Sequence, residues 1–239
     1  MSGEVVVGDH RETKPGSQVR DDVVVRLKNP PKRFVSRAGG KLDGALNDLG
    51  IDVSGRRVLD VGASTGGFTD CVLQRGAAEV VALDVGYGLL DAKVRNDPRV
   101  IPLERCNARK LTAGQLPWPP DLITIDVSFI AIRALLDALS AVASQQAWML
   151  AMVKPQFELP RNRVPKGGVV RDDDARRHAA ELVTDAASSN GWLLRDQRDS
   201  KVAGPKGNRE IFVWLQRDNR GADPRQRRSR RCISSEERT

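Results

Sequence analysis

Short apolar runs alternate with apolar residues at helical spacing from residue 36 to about 216. Leu42, Ala45, Leu46 and Leu49 predict a helix over Leu42–Leu49 that stops at Gly50. Arg57-Val58-Leu59-Asp60-Val61 reads as a buried strand, and Phe68 to Gln74 as the helix that follows it. Further strands are expected over 79–84, 100–103, 121–127 and 147–153, with an apolar helix over 130–142. An amphipathic helix over 172–188 begins in Asp172-Asp173-Asp174, acids suited to its positive end, and 192–196 and 210–215 read as two closing strands. Such alternation predicts an α/β domain, a seven-stranded, mostly parallel sheet with helices on both faces. Ligands of these sheets bind beyond the carboxyl ends of the strands.

The flanks differ from this centre. Val5-Val6-Val7 and Val23-Val24-Val25, separated by Lys14-Pro15-Gly16, predict two strands in a small β segment over 1–28. Two lone strands are marginal in water, so this piece docks elsewhere or is a remnant of a larger module. Asn29-Pro30-Pro31-Lys32 predicts a stiff linker over 29–35, ahead of a main domain over 36–216. Residues 217–239 carry eight Arg against four acids and read as a basic, solvated tail.

Composition narrows the class. The 239 residues are 40% apolar and 29% charged, enough for one sizeable core, and no apolar run reaches the ~18 residues of a spanning helix. The polar first 31 residues lack a signal-peptide core, so a cytoplasmic location is expected. Cys71, Cys106 and Cys232 imply neither a disulfide framework nor a zinc site, and His10 and His178 have no partner at ligand spacing, so no metal is expected. The net charge of +8 suits a polyanionic partner.

The chemistry concentrates at predicted strand ends. Gly62-Ala63-Ser64-Thr65-Gly66-Gly67, with Phe68 opening the helix, lacks both the Gly-Lys-Ser/Thr of a phosphate loop and a full dinucleotide fingerprint. Asp60 before it would repel a pyrophosphate but suits a ligand bearing an amino group and a sulfonium. Asp84, 24 residues after Asp60, could accept ribose hydroxyls, and Asn107 could hold adenine, although alone it reads as a turn residue. Together they favour a Rossmann-like S-adenosylmethionine-dependent methyltransferase over a hydride-transfer enzyme. Asp126-Val127-Ser128-Phe129 lacks the prolines common in amino-group methylation, and no cysteine sits at a strand end for carbon-5 chemistry. Lys41, Asp126, Lys154 and Glu210 could meet in one pocket. A lysine can deprotonate an alcohol when burial and a neighbouring cation favour its neutral form. Two lysines in surface ion pairs is the commoner fate of such sets.

The chain also resembles the hemolysin-A-like (TlyA-type) ribosomal RNA methyltransferases, a branch of the FtsJ/RrmJ-like 2′-O-methyltransferases. The matching runs are Phe34 through Leu42, Asp60 through Gln74, Asp84 through Gly88, Asp126 through Phe129, Val153 through Glu158, Lys166 through Asp172 and Gly207 through Glu210. The resemblance implies a Lys-Asp-Lys-Glu tetrad at Lys41, Asp126, Lys154 and Glu210, with Lys154 as the base that activates a ribose 2′-hydroxyl, and Asp126 also beside the cofactor. It implies ribosomal RNA as partner, with a cytidine as target; RNA contacts are expected at Arg37, Lys166, Arg171 and Lys206. Family members usually begin with two helices and a short β segment, of which residues 3–28 match only the latter. Either the chain starts late or it binds RNA by other means, with the basic tail, which is not part of the family pattern, as a candidate substitute. A non-catalytic RNA-binding or assembly factor on the same fold is the competing reading, and a membrane-lytic protein a remote one.

Overall fold

The computed structural model describes residues 5–14, 16–27, 33–204 and 207–218. Asn29-Pro30-Pro31-Lys32, Lys206 and the basic tail after Asp218 lie outside them. The chain divides into two compact units, Met1–Arg33 and Phe34–Thr239.

Among its described residues the first unit holds three strands, not the expected two. β1 (Val5–Val7) pairs antiparallel with both β2 (His10–Glu12) and β3 (Val25–Leu27). The extra strand follows a two-residue turn at Gly8-Asp9, where Gly8 takes a φ of 59° and its N–H donates to Val24 O. Two-residue hairpins need such positive angles, which glycine adopts without a Cβ clash. β2 escaped detection because His-Arg-Glu at a sheet edge carries no apolar signal.

The second unit is the α/β domain. Its strands are β4 (Arg57–Val61), β5 (Glu79–Leu83), β6 (Val100–Leu103), β7 (Leu122–Ile125), β8 (Trp148–Val153), β9 (Trp192–Asp199) and β10 (Ile211–Arg217), in the order β6-β5-β4-β7-β8-β10-β9. The first five in that order run parallel, and β10 lies antiparallel between β8 and β9. This reversal puts the start of β10 at the same edge as the ends of the parallel strands, with Ile211 opposite Val153.

Strand residues alternate between two apolar layers. Leu59, Val61, Ile123 and Ile125 pack with α4 (Leu136–Val142) and α6 (Asp173–Ser189). Val58 and Leu122 face α1 (Arg37–Leu49) and α2 (Gly67–Gln74) on the other side. Asp172 caps α6 by accepting from Ala175 N at 2.6 Å, a contact that stabilises a helix start by about 1 kcal/mol. The short helices α3 (Ala92–Arg95) and α5 (Pro155–Glu158) follow β5 and β8.

Two element boundaries moved for identifiable reasons. α1 begins five residues before Leu42, because Gly39 and Gly40 hide its first turns from an apolar pattern. The expected helix over 130–142 becomes a 3₁₀ turn, Ile132–Leu135, followed by α4. Phe129 at φ 66° and extended Ala131 break the helical path before it.

Candidate active site

The glycine loop between β4 and α2 is built by close backbone approach. Gly62 has a φ of 84°, and a Cβ there would lie 2.6 Å from Asp126 O. Only glycine lets the β4 and β7 ends meet this closely. A second approach docks α1 on the loop: a Cβ on Gly39 would fall 2.8 Å from Gly67 O, and one on Gly67 2.1 Å from Ser36 Oγ. That contact sets Lys41, one turn into α1, above the sheet edge.

Asp84 holds the far side of the loop. Its Oδ2 accepts from Ser64 N and its Oδ1 from Gly86 N, each at 2.8 Å. The first bond secures Ser64 in a left-handed conformation, φ 49°, that L-residues rarely adopt. Two basins open around the loop. One, about 270 Å³, is lined by Gly62, Ser64, Asp84, Asn107 and apolar Leu89 and Ile130. The other, about 170 Å³, takes in Ala63, Gly67 and Phe68. Both include Gly62, Ser64, Asp126 and Ser128. An apolar slot ending at a carboxylate on a strand end fits an adenosine, and the bare loop backbone fits a ligand pressed against it.

Asp60 and Gly66 are not in these basins, contrary to expectation. Asp60 shares a strand face with Val58, so its side chain points under α2 and is fully buried. It accepts from Thr69 Oγ1 at 2.6 Å and from Thr124 Oγ1 at 3.0 Å. Burial pushes its carboxyl up to about 6, although the two threonine hydroxyls pull the other way. Gly66, at φ 89°, turns the chain where a Cβ would lie 2.9 Å from Val94 and 3.1 Å from Leu90. Asn107 lines the larger basin, but its Oδ1 already accepts from Arg109 N at 3.0 Å.

A larger cleft of about 540 Å³ adjoins the loop and holds Lys41, Asp126, Lys154 and Glu210 together. Lys154 Nζ sits 2.5 Å from Asp126 Oδ1 and donates to Ser128 Oγ at 2.9 Å. Lys41 Nζ donates to Glu210 Oε1 at 2.7 Å, and both side chains are buried. Glu210 Oε2 is buried with no hydrogen-bond partner among the described residues, and so is Gln156 Oε1 in the same cleft. Two lysine–carboxylate pairs thus stand side by side, with Asp126 and Ser128 lining the cleft and both basins.

Arg37 lines the cleft, whereas Lys166 and Arg171 are exposed outside it and their neighbours Gly167 and Gly168 form its wall. Sequence reasoning gave no role to Ser128 or to the rings at its rim. Phe129 is 91% exposed and lies 5.3 Å from the Phe157 ring, centroid to centroid. Buried Glu158 ties their two segments together by accepting from Ile132 N at 2.6 Å and pairing with Arg133. Burial raises the Glu158 carboxyl above the usual range. An aromatic residue three positions after a strand-end Asp was the available signal for Phe129.

Among the described residues no group of His, Cys, Asp and Glu could hold a metal ion, and no helix is long and apolar enough to cross a membrane.

Comparison with known proteins agrees with this architecture. The family model for FtsJ-like methyltransferases matches residues 34–217. The 16S/23S rRNA (cytidine-2′-O)-methyltransferase TlyA of Mycobacterium tuberculosis is 45% identical over 215 residues, covering 90% of this chain and 80% of that protein. Hemolysin A of Brachyspira hyodysenteriae is 37% identical, with 89% of each chain covered. A solved chain from Streptococcus thermophilus described as a hemolysin superposes with a TM-score of 0.76 at 37% identity, covering 91% of this chain and 80% of its own.

Proposed function

Because this chain belongs to the FtsJ-like methyltransferase family, we propose that it transfers a methyl group from S-adenosylmethionine to a ribose 2′-hydroxyl of ribosomal RNA, at a cytidine. The observation that carries this reading is the pairing of Lys154 with Asp126 and of Lys41 with Glu210 in one cleft that opens onto the glycine loop.

Asp84, Asn107, the loop from Gly62 to Ser64, Gly67 and Phe68 would hold the donor, and Asp60 would act from behind by keeping the loop in shape. Bound there, S-adenosylmethionine would supply an electrophilic methyl group. In its neutral form Lys154 would take the proton of the ribose hydroxyl that receives it. Asp126 and Ser128 aim the lysine and stabilise the ammonium that results. Lys41 fixes Glu210, whose free Oε2 is an acceptor suited to a ribose hydroxyl. Phe129 offers an exposed face on which a base taken out of its stack can lie. Arg37 contributes positive charge at the mouth, with Lys166, Arg171, Lys206 and the basic tail as further sources of phosphate affinity. A ribosomal RNA substrate suits work in the cytoplasm.

Incubating the protein with tritiated S-adenosylmethionine and ribosomal subunits from cells lacking it, then mapping 2′-O-methylation, tests the proposal. Label at a ribose oxygen of a cytidine is expected. Label on a base, or none on either subunit, would overturn it.

A further inference from the structure

From Asn208 to Ile211, leading into β10, successive residues line two different cavities. Asn208 and Glu210 enter the cleft described above. Arg209 and Ile211 face a separate basin of about 280 Å³ on the α6 side. Arg176, Arg177 and Arg198 complete its basic wall, with Asp173 and Asp199 as the acids among its described lining residues.

Those acids are already taken. Arg176 is buried, and its guanidinium bridges Asp173 and Asp199 while donating to Arg209 O at 3.2 Å. It neutralises the acids and fixes the backbone that carries Arg209. The other three arginines are exposed. Arg177 and Arg198 form surface pairs with Asp174 and Asp196, interactions that exchange readily with solvent. No partner is seen for the Arg209 guanidinium among the described residues. With Asp174 and Asp196 at its edge, four Arg meet four Asp, and the exposed Arg209 guanidinium next to Glu210 in sequence is left to take an anion.

We infer that this basin binds backbone phosphate of the RNA strand that flanks the target nucleotide. Planar guanidinium groups converging on a concave surface match phosphate oxygens, and a buried, fully paired arginine beneath them keeps the others outward. The site is distinct from the proposed catalytic cleft and from Arg37, Lys166 and Arg171. It rests on the proposed RNA substrate, and it positions RNA without touching the reacting atoms.

The test removes the three exposed charges in R177Q/R198Q/R209Q and leaves Arg176 in place. Binding of a labelled RNA hairpin is followed across a salt series, and methyl transfer to ribosomal subunits is measured alongside. Binding at about 0.15 M salt is expected to weaken at least tenfold, with a salt slope shallower by about one to three, roughly one for each phosphate no longer neutralised. At saturating RNA, kcat should stay within about twofold of the parent, and donor affinity should not change. R177K/R198K/R209K should retain the slope and most of the affinity. Unchanged affinity and slope in the glutamine variant would overturn the basin as a phosphate site, as would equal binding of polyglutamate and RNA by the parent. If the parent methylates neither subunit, the functional reading fails on its own, while the hairpin arm still decides the basin.

Discussion

Lys41 Nζ and Glu210 Oε1 lie 2.7 Å apart although 169 residues separate them in the chain. The pair exists because Gly39 lets α1 dock on the glycine loop and because antiparallel β10 starts at the edge where the parallel strands end. Both side chains are almost wholly out of solvent, so removing one leaves a buried charge unpaired. Lys41→Met or Glu210→Leu alone should cost about 3–5 kcal/mol of folding stability, and the double variant should recover most of it. Urea denaturation of the three proteins checks the coupling. If the double variant is stable but inactive in methyl transfer, the pair serves chemistry rather than folding. An active double variant would remove both residues from the proposed tetrad.

Lys154 reaches Asp126 and Ser128 at once. Its proposed role as base makes Lys154→Met lose about 10²–10⁴ in kcat while donor affinity, read by calorimetry, stays within a few fold. Ser128→Ala removes one hydrogen bond that aims the amine, a loss of about 1.5–3 kcal/mol where a charged group is involved. It should lower kcat about tenfold or more with KM nearly constant. A Ser128→Ala enzyme with full kcat would show that Asp126 aims the lysine unaided.

The strand ends were legible in the sequence because each carries a polar residue directly after a run of Val, Leu, Ile or Met. Asp84, Asp126 and Lys154 stand out on that ground, and all three line the site. Asp60 follows the same sequence rule but lies one residue inside β4, on the face shared with Val58. The two-residue period of a strand, applied strictly, turns it under α2 toward Thr69. Glu210 was legible as a strand-end acid, whereas its pairing with Lys41 depends on β10 running antiparallel. The second strand of the small unit, the bend at Phe129 and the arginine basin were hidden for one reason. Each depends on polar residues whose placement comes from backbone geometry and tertiary packing rather than from apolar periodicity.

Asp60 makes a prediction about pH. Its carboxyl is held at about 6 in the folded protein, against an ordinary value near 3.8. The folded state therefore keeps the proton more tightly than the unfolded chain. The stabilising effect is complete below pH 3.8 and is lost as pH rises through 6. Asp60→Asn keeps a group that can bond Thr69 and Thr124 but has no charge to bury. Its stability relative to the parent should rise by about 2–3 kcal/mol between about pH 4 and pH 7 and level off above that. Paired denaturant titrations across this range measure the difference directly. A constant difference would mean that the carboxylate is not penalised by its surroundings.

Phe129 holds a left-handed backbone at φ 66° while exposing nearly its whole ring. A left-handed L-residue costs about 1–2 kcal/mol, and glycine at this position would escape that strain. The missing packing against the Phe157 ring and the extra chain entropy of glycine offset the gain. Phe129→Gly should therefore leave folding stability within about 1 kcal/mol of the parent. Function should respond very differently, because stacking a base on an aromatic face contributes about 1–3 kcal/mol. The KM for ribosomal subunits is expected to rise by between about five- and a hundredfold, with donor affinity unchanged. Phe129→Tyr, which keeps the face, should stay within a few fold of the parent. If glycine and tyrosine variants methylate equally well, the exposed ring has no part in holding the target base.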